Sequence, residues 1–310
     1  MRHIFIINPA AGLQNSTEKL RQEIVDSVGS LCEICVTEYA GHAAMLVRTK
    51  AAQYAPEVCR FYACGGDGTL SEAAAGAVGL ENAQIACVPC GTGNDFIKIF
   101  DGREAFRNVR AQMEGEAVPL DVLAVNDRYA LNICNAGLDA RICRWVVDNK
   151  RRCVFSGGFP YKLSLLIHFF RRINCRYRLE IDGKTVDEEL AIAVAANARY
   201  YGGGFYACPE AEPDDGFFDF VAIRRITRAQ LLRCLGDYAA GRHDRLGDLQ
   251  LYTRARQMTL VSEKPEPLCL DGEILITDRA EIRIVPHAIS FVVPKGAALI
   301  RDARKRIPNK

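Results

Sequence analysis

Short apolar runs alternate with segments of helical spacing over the first ~120 residues. Residues 4–7, 31–36, 61–64 and 85–88 read as buried strands. Between them, residues 17–28 and 42–55 repeat apolar positions at helical spacing, and Pro9, Gly12 and Gly41 punctuate the turns. This alternation predicts an α/β domain, a doubly wound parallel sheet. Beyond Asp121 the texture changes. Residues 122–125, 129–136, 177–181, 189–197, 217–223, 257–261, 269–270, 281–285 and 290–293 are short strand candidates between turn signals, as in a mainly antiparallel β-sandwich. The boundary falls near residue 120, giving an α/β domain over 1–120 and a sandwich over 121–293.

Two loops carry the chemistry. Gly65-Gly66-Asp67-Gly68-Thr69 follows the apolar run Val58-Cys59-Arg60-Phe61-Tyr62-Ala63-Cys64 and precedes a helix start at Leu70-Ser71-Glu72. Gly91-Thr92-Gly93-Asn94-Asp95 follows Ile85-Ala86-Cys87-Val88-Pro89, and Asn94 or Asp95 is placed to cap a helix and offer anion-binding N–H groups. Glycine lets backbone N–H groups approach phosphate oxygens, Thr69 and Thr92 offer hydroxyls, and Asp67 and Asp95 suit Mg²⁺. Either loop alone is an ordinary strand-to-helix turn. The two together fit a nucleoside triphosphate with its metal.

With 40 basic and 38 acidic side chains the net charge is +2, which gives no argument for nucleic acid as a partner. The apolar start at residues 4–7 is too short for a signal h-region, and no run of 18 apolar residues occurs, the nearest being broken at His168 and Arg171-Arg172. A cytoplasmic location and thiols held reduced follow for the 13 cysteines. Cys32 and Cys35, and Cys87 and Cys90, form C-x-x-C pairs, but these are too far apart for a zinc ribbon and lie on strand-like segments.

Asn8-Pro9-Ala10-Ala11-Gly12, the two glycine loops, Asp214-Asp215-Gly216 and Asp271-Gly272-Glu273 together resemble the ordered signature of the diacylglycerol kinase-like lipid kinases, particularly the soluble bacterial branch. The resemblance spans nearly the whole chain. It implies a phosphofructokinase- and NAD kinase-like first domain, to which residues 294–310 return, and a lipid-substrate sandwich. Nucleotide contacts carry over onto Asn8, Thr37, Gly65, Gly66, Asp67, Gly68, Thr69, Glu72, Gly91, Thr92 and Asn94, although Glu72 reads equally as an acid that favours the helix dipole. Alanine stands where the family often has a hydroxyl after Asn-Pro. Asp67, Asp95 and Asp121 are implied to hold a catalytic Mg²⁺. Asp271 is implied as the base that takes the acceptor hydroxyl proton, with Glu273 as orienter or second metal-site acid; Asp-Gly is also a strong hairpin signal. A second, structural Mg²⁺ is implied at Asp215 with the carbonyls of Glu212 and Phe217. His42 reads as a helix-start residue rather than a catalyst.

The expected activity is therefore Mg²⁺-dependent transfer of the ATP γ-phosphate to a hydroxyl of diacylglycerol or a related lipid. An NAD kinase is the rival enzyme; it would need an Asn-Glu or Asn-Asp motif after the glycine loop, which Asn94-Asp95 imitates, and a later Thr-Gly-Ser-type loop, which is not found. A catalytically silent lipid-binding regulator is the other rival; against it, Asp67, Asp95, Asp121 and Asp271 are all present. A homodimer is allowed. A peripheral membrane surface is one reading of residues 161–178, where Tyr161-Lys162-Leu163-Ser164-Leu165-Leu166-Ile167-His168-Phe169-Phe170 meets Arg171, Arg172, Arg176 and Arg178. A core helix over the sandwich is the alternative.

Overall fold

The computed structural model describes residues 1–11, 16–28, 32–149 and 159–301. The expectations at Gly12, at Leu31 and for residues 302–310 lie outside the described residues. The chain divides into two units, Met1–Val122 with Pro286–Lys310, and Leu123–Val285.

The first unit opens with β1 (Arg2–Ile7), α1 (Ser16–Val28), β2 (Cys32–Val36), α2 (His42–Tyr54), β3 (Cys59–Gly65), α3 (Asp67–Ala77) and β4 (Ala83–Pro89). Its strands are parallel in the order β2-β1-β3-β4. Parallel strands covered on both faces need continuous apolar runs, and every residue of β3 is buried. Phe5 stacks on Tyr62 at 4.2 Å, and Ile24 and Val28 of α1 close over them. Gly76 lets α3 lie against α2, since a Cβ there would sit 2.6 Å from the Ala44 carbonyl oxygen. The chain continues through β5 (Phe100–Asp101), α4 (Val109–Met113) and β6 (Glu116–Val125). β6 begins six residues before the predicted 122–125, through Pro119, which the apolar pattern did not include.

The second unit contains β7 (Arg128–Ala130), β8 (Ile133–Gly137), α5 (Leu138–Asn149), α6 (Phe159–Phe169), β9 (Cys175–Ile181), β10 (Lys184–Ala196), β11 (Phe218–Arg224), α7 (Arg228–Ala239), β12 (Gln250–Ala255), β13 (Gln257–Leu270) and β14 (Glu273–Val293). Antiparallel pairing runs β12-β11-β10-β8-β13-β14, and β9 pairs with both β10 and β13. One core gathers Tyr177, Phe218, Phe220 and Met258, and another gathers Ile192, Val221, Leu231 and Tyr238. The strand predicted over 129–136 breaks at Leu131-Asn132. Those predicted over 257–261 and 269–270 are one strand, because the polar stretch Glu263-Lys264-Pro265-Glu266 is taken up by a register shift between Val261 and Glu266 rather than by a turn. α5, α7 and β12 were not anticipated. α7 has a capping box, Thr227 with Gln230, that was readable as Thr-Arg-Ala-Gln.

β14 then carries the chain back into the first unit. Ser290 and Phe291 pair in parallel with Gln84 and Ile85 of β4, and β15 (Ala298–Leu299) pairs with β5. Phe291 closes a ring cluster with Phe96 at 5.4 Å and Phe100 at 5.7 Å.

Candidate active site

In the first unit the two glycine loops are locked backbone to backbone. Cys90 and Gly91 donate to the Gly65 carbonyl at 2.8 and 3.3 Å. Glycine is required at the crossing: a Cβ on Gly91 would lie 2.6 Å from the Gly66 Cα, and one on Gly65 would fall on the Thr69 side chain. Asn8 fastens the loop after β1 to the same place, its Nδ2 donating to Thr69 Oγ1 at 2.9 Å while its Oδ1 accepts from the Ala10 N–H at 2.9 Å.

The helix expected after the second loop is a correction. Phe96–Ile99 forms only a short 3₁₀ turn, and the N–H groups of Asp95 and Phe96 are taken by Asp67 Oδ1 at 2.6 and 3.2 Å. They therefore serve the Asp67 carboxylate rather than a phosphate. Asn94 sits at φ 46° and donates to the Gly91 carbonyl at 2.6 Å, which fixes the turn.

Gly93 supplies the test of a metal site. A Cβ there would lie 2.9 Å from Asp67 Oδ2 and 3.7 Å from Asp95 Oδ2, so two carboxylate oxygens converge on the room its missing side chain leaves. Oxygen donors of this kind fit Mg²⁺, which takes one or two carboxylates and fills its shell with water and phosphate. Lys98, unremarked in the sequence although it stands three residues after Asp95, holds Asp95 Oδ1 at 2.5 Å. Asp121 is wholly buried and its Oδ1 accepts the His287 N–H at 2.8 Å. Among the described residues no three His, Cys, Asp or Glu side chains gather as a metal cluster, so the structure brings together two of the three expected acids. Thr37 follows β2, its N–H on the Ile7 carbonyl at 2.9 Å. Glu72 accepts the Ala43 N–H at 3.3 Å, capping α2, and His42 Nδ1 accepts the Glu38 N–H at 3.1 Å at the same helix start. Gly68 and Thr92 lie within the two loops; open space surrounds the missing side chain of Gly68.

In the second unit, Asp271 and Gly272 have φ of 48° and 99° and join β13 to β14 as a two-residue hairpin turn between Leu270 and Glu273. The Asp271 carboxylate fills the break between β7 and β8. Its Oδ2 accepts the N–H groups of Leu131 and Asn132 at 2.7 and 3.1 Å, and its Oδ1 those of Asn132 and Ile133 at 3.2 and 2.8 Å. A carboxylate offers about four lone-pair sites, and these contacts occupy it. Glu273 is exposed and pairs with Arg128 at 3.8 Å.

The Asp215 carboxylate, expected to hold a structural Mg²⁺, already has other partners. Asp215 Oδ1 accepts the Phe217 N–H at 3.0 Å, and Oδ2 is held by the Arg254 guanidinium, which also lies 4.8 Å over the Phe217 ring. Glu212 pairs with the buried Arg199 at 3.1 Å. Arginine therefore supplies positive charge beside the Asp215 carboxylate. Beside it lies Asp219, wholly buried, taking the Tyr252 hydroxyl on Oδ1 and leaving Oδ2 without a partner. Burial pushes its carboxyl up to about 6, against the pull of Tyr252 and Arg254. No motif marked Asp219 in advance.

Two family descriptions match the chain. Residues 2–125 match the diacylglycerol kinase catalytic domain, and residues 132–293 match the YegS C-terminal NAD kinase beta sandwich-like domain. The chain belongs to the YegS- and diacylglycerol kinase-like lipid kinase family, and it is a lipid kinase. It is 30% identical to the “Probable lipid kinase YegS-like” of Pseudomonas aeruginosa PAO1, covering 94% of this chain and 95% of that protein. Its relative in Pseudomonas aeruginosa UCBPP-PA14, with the same description, is 31% identical over 77% of this chain and 78% of that protein. A diacylglycerol kinase crystal structure from Bacillus anthracis strain Sterne shares the fold at TM-score 0.67 and 18% identity, covering 94% of this chain and 96% of that one.

Proposed function

We propose that the chain transfers the γ-phosphate of ATP to a hydroxyl of diacylglycerol or a lipid of similar form, with Mg²⁺ bound between Asp67 and Asp95. The observation that carries this reading is the pair of loops crossed at Gly66 and Gly91, with carboxylate oxygens of Asp67 and Asp95 facing the room at Gly93. Gly65, Gly66, Gly68 and Gly91 let the chain approach phosphate oxygens without a Cβ in the way, and Thr69, anchored by Asn8, orients the first loop. A bound Mg²⁺ would neutralise charge on the phosphates. Asp67 keeps the second loop in register through its two N–H acceptances, and Lys98 pairs with Asp95 Oδ1.

Asp271 is the proposed partner of the acceptor hydroxyl. Phosphoryl transfer rests mainly on alignment and charge compensation, so the base contributes chiefly by placing the nucleophile in line. The nest of Leu131, Asn132 and Ile133 N–H groups favours a second role, anchoring the turn between β7 and β8. Membrane contact is proposed at the end of α6. Leu166 and Phe170 are 57% and 71% exposed, and Leu232 of α7 is 68% exposed. Arg228 donates to the carbonyls of Phe169, Phe170 and Arg171, which ties the two helices, and Arg171 and Arg172 flank them. This combination suits an anionic lipid surface. No helix among the described residues is long and apolar enough to cross a membrane.

The test is a screen of purified protein with γ-labelled ATP and Mg²⁺ against diacylglycerol, monoacylglycerol, sphingoid base and undecaprenol in mixed micelles. Labelled product from a glycerolipid is expected; label entering NAD but no lipid would overturn the reading.

A further inference from the structure

Cys143 on α5 and Cys269 on β13, 126 positions apart, hold their sulfur atoms 3.1 Å from each other. Both are free thiols, enclosed with Ala140 and Ile274 in a small apolar cluster. Cys143 also faces the Gly272 carbonyl at 3.9 Å. Other thiols with contacts, such as Cys59, Cys64 and Cys90, turn toward nearby backbone carbonyls instead. A disulfide needs its sulfurs about 2.05 Å apart, so this pair is roughly 1 Å from bonding distance.

We propose that Cys143 and Cys269 form an oxidisable dithiol, a site at which a peroxide converts two thiols to a disulfide that ties α5 to the strand entering the Asp271 turn. The two sulfurs are not equivalent. Cys269 donates to Cys143, which pulls the Cys143 thiol below its ordinary value against the effect of burial and raises that of Cys269. Cys143 is also the more accessible, at 9% against 4%. Cys143 is therefore the attacking sulfur.

The Cys143 thiolate attacks one peroxide oxygen, the O–O bond breaks, and the departing hydroxide takes up a proton to leave as water, giving a sulfenic acid. The Cys269 sulfur then attacks the Cys143 sulfur. The S–O bond breaks, and a second water leaves with the Cys269 proton. Two thiols lose two electrons in all, and one hydrogen peroxide becomes two waters. Cys269 stands two residues before Asp271, so closing the bond shifts the strand that presents the carboxylate to Leu131, Asn132 and Ile133. The expected consequence is reversible loss of turnover, and that consequence alone rests on the proposed kinase function.

The test treats the full chain with hydrogen peroxide, blocks remaining thiols by alkylation and maps peptides by mass spectrometry. A Cys143–Cys269 cross-linked peptide, lost on dithiothreitol treatment, is expected as the main oxidised species. In Cys269→Ser, Cys143 should stop at the sulfenic acid and be trapped by dimedone. Recovery of both cysteines alkylated, at a dose that oxidises the partly exposed Cys32, Cys35 or Cys90, overturns the proposal. So does pairing of Cys143 with any other cysteine. The wild-type cross-link decides the matter even if a serine variant fails to fold, and it does not depend on a kinase assay.

Discussion

Replacing Asp271 by Asn separates the two roles given to this carboxylate. Both residues tolerate the positive φ of 48°, so the turn itself is not strained. What changes is the nest. Three N–H donors now meet one acceptor oxygen and one NH₂ group, so Leu131 or Ile133 faces a donor instead of an acceptor. An unmet N–H costs about 1–3 kcal/mol, and hydrogen bonds to a neutral acceptor are each about 1 kcal/mol weaker than to a charged one. The sum is about 3 kcal/mol. For a unit of this size that lowers Tm by roughly 6–12 °C, which scanning calorimetry reads directly. Turnover should also fall by roughly 10² or more if Asp271 takes the hydroxyl proton. A Tm within ~2 °C of wild type would refute the anchoring argument. Wild-type turnover would remove the base.

Gly93→Ala places a methyl group 2.9 Å from Asp67 Oδ2, so Mg²⁺-nucleotide affinity should drop by about tenfold or more with little change in Tm, and titration of a fluorescent ATP analogue checks it. Asp219 is raised in the folded state to about 6, so the folded chain binds more protons there than the unfolded one between about pH 4 and 6; its contribution to stability falls as pH rises through that window, and Asp219→Asn should flatten this part of the Tm–pH curve. Because arginine occupies the Asp215 turn, Mg²⁺ without nucleotide should give the same thermal shift in Asp215→Ala as in wild type, whereas a shift lost only in the variant would restore a structural ion there. Arg171→Glu with Arg172→Glu should weaken binding to anionic vesicles at fixed salt and spare turnover of a short-chain soluble acceptor, and equal loss on both substrates would place the arginines in folding instead.

The parallel part of the fold was legible because strands buried on both faces leave unbroken apolar runs, as in β3. The long strands were not. β13 carries charged residues and a proline through a bulge, a pattern that looks like a turn until the neighbouring strands are known. In the candidate site, the glycines were readable because a close crossing such as Gly66 on Gly91 admits no side chain. The partners of the acids were hidden. That Asp271 would satisfy N–H groups near residue 132, or that Arg254 would meet Asp215, depends on contacts far apart in sequence which no local motif encodes. Lys98 was within reach, since an i,i+3 cation beside an acid is a local signal.

Asp67, between the two glycine loops, is proposed to support metal-dependent phosphate transfer to a lipid. Thin-layer separation of lipid products from γ-labelled ATP and diacylglycerol micelles, across a Mg²⁺ titration, measures it directly. Wild type should give labelled phospholipid that vanishes without divalent metal, and Asp67→Ala should lose both the product and the Mg²⁺ response while remaining folded. Labelled lipid from Asp67→Ala with an unchanged Mg²⁺ curve would contradict the account.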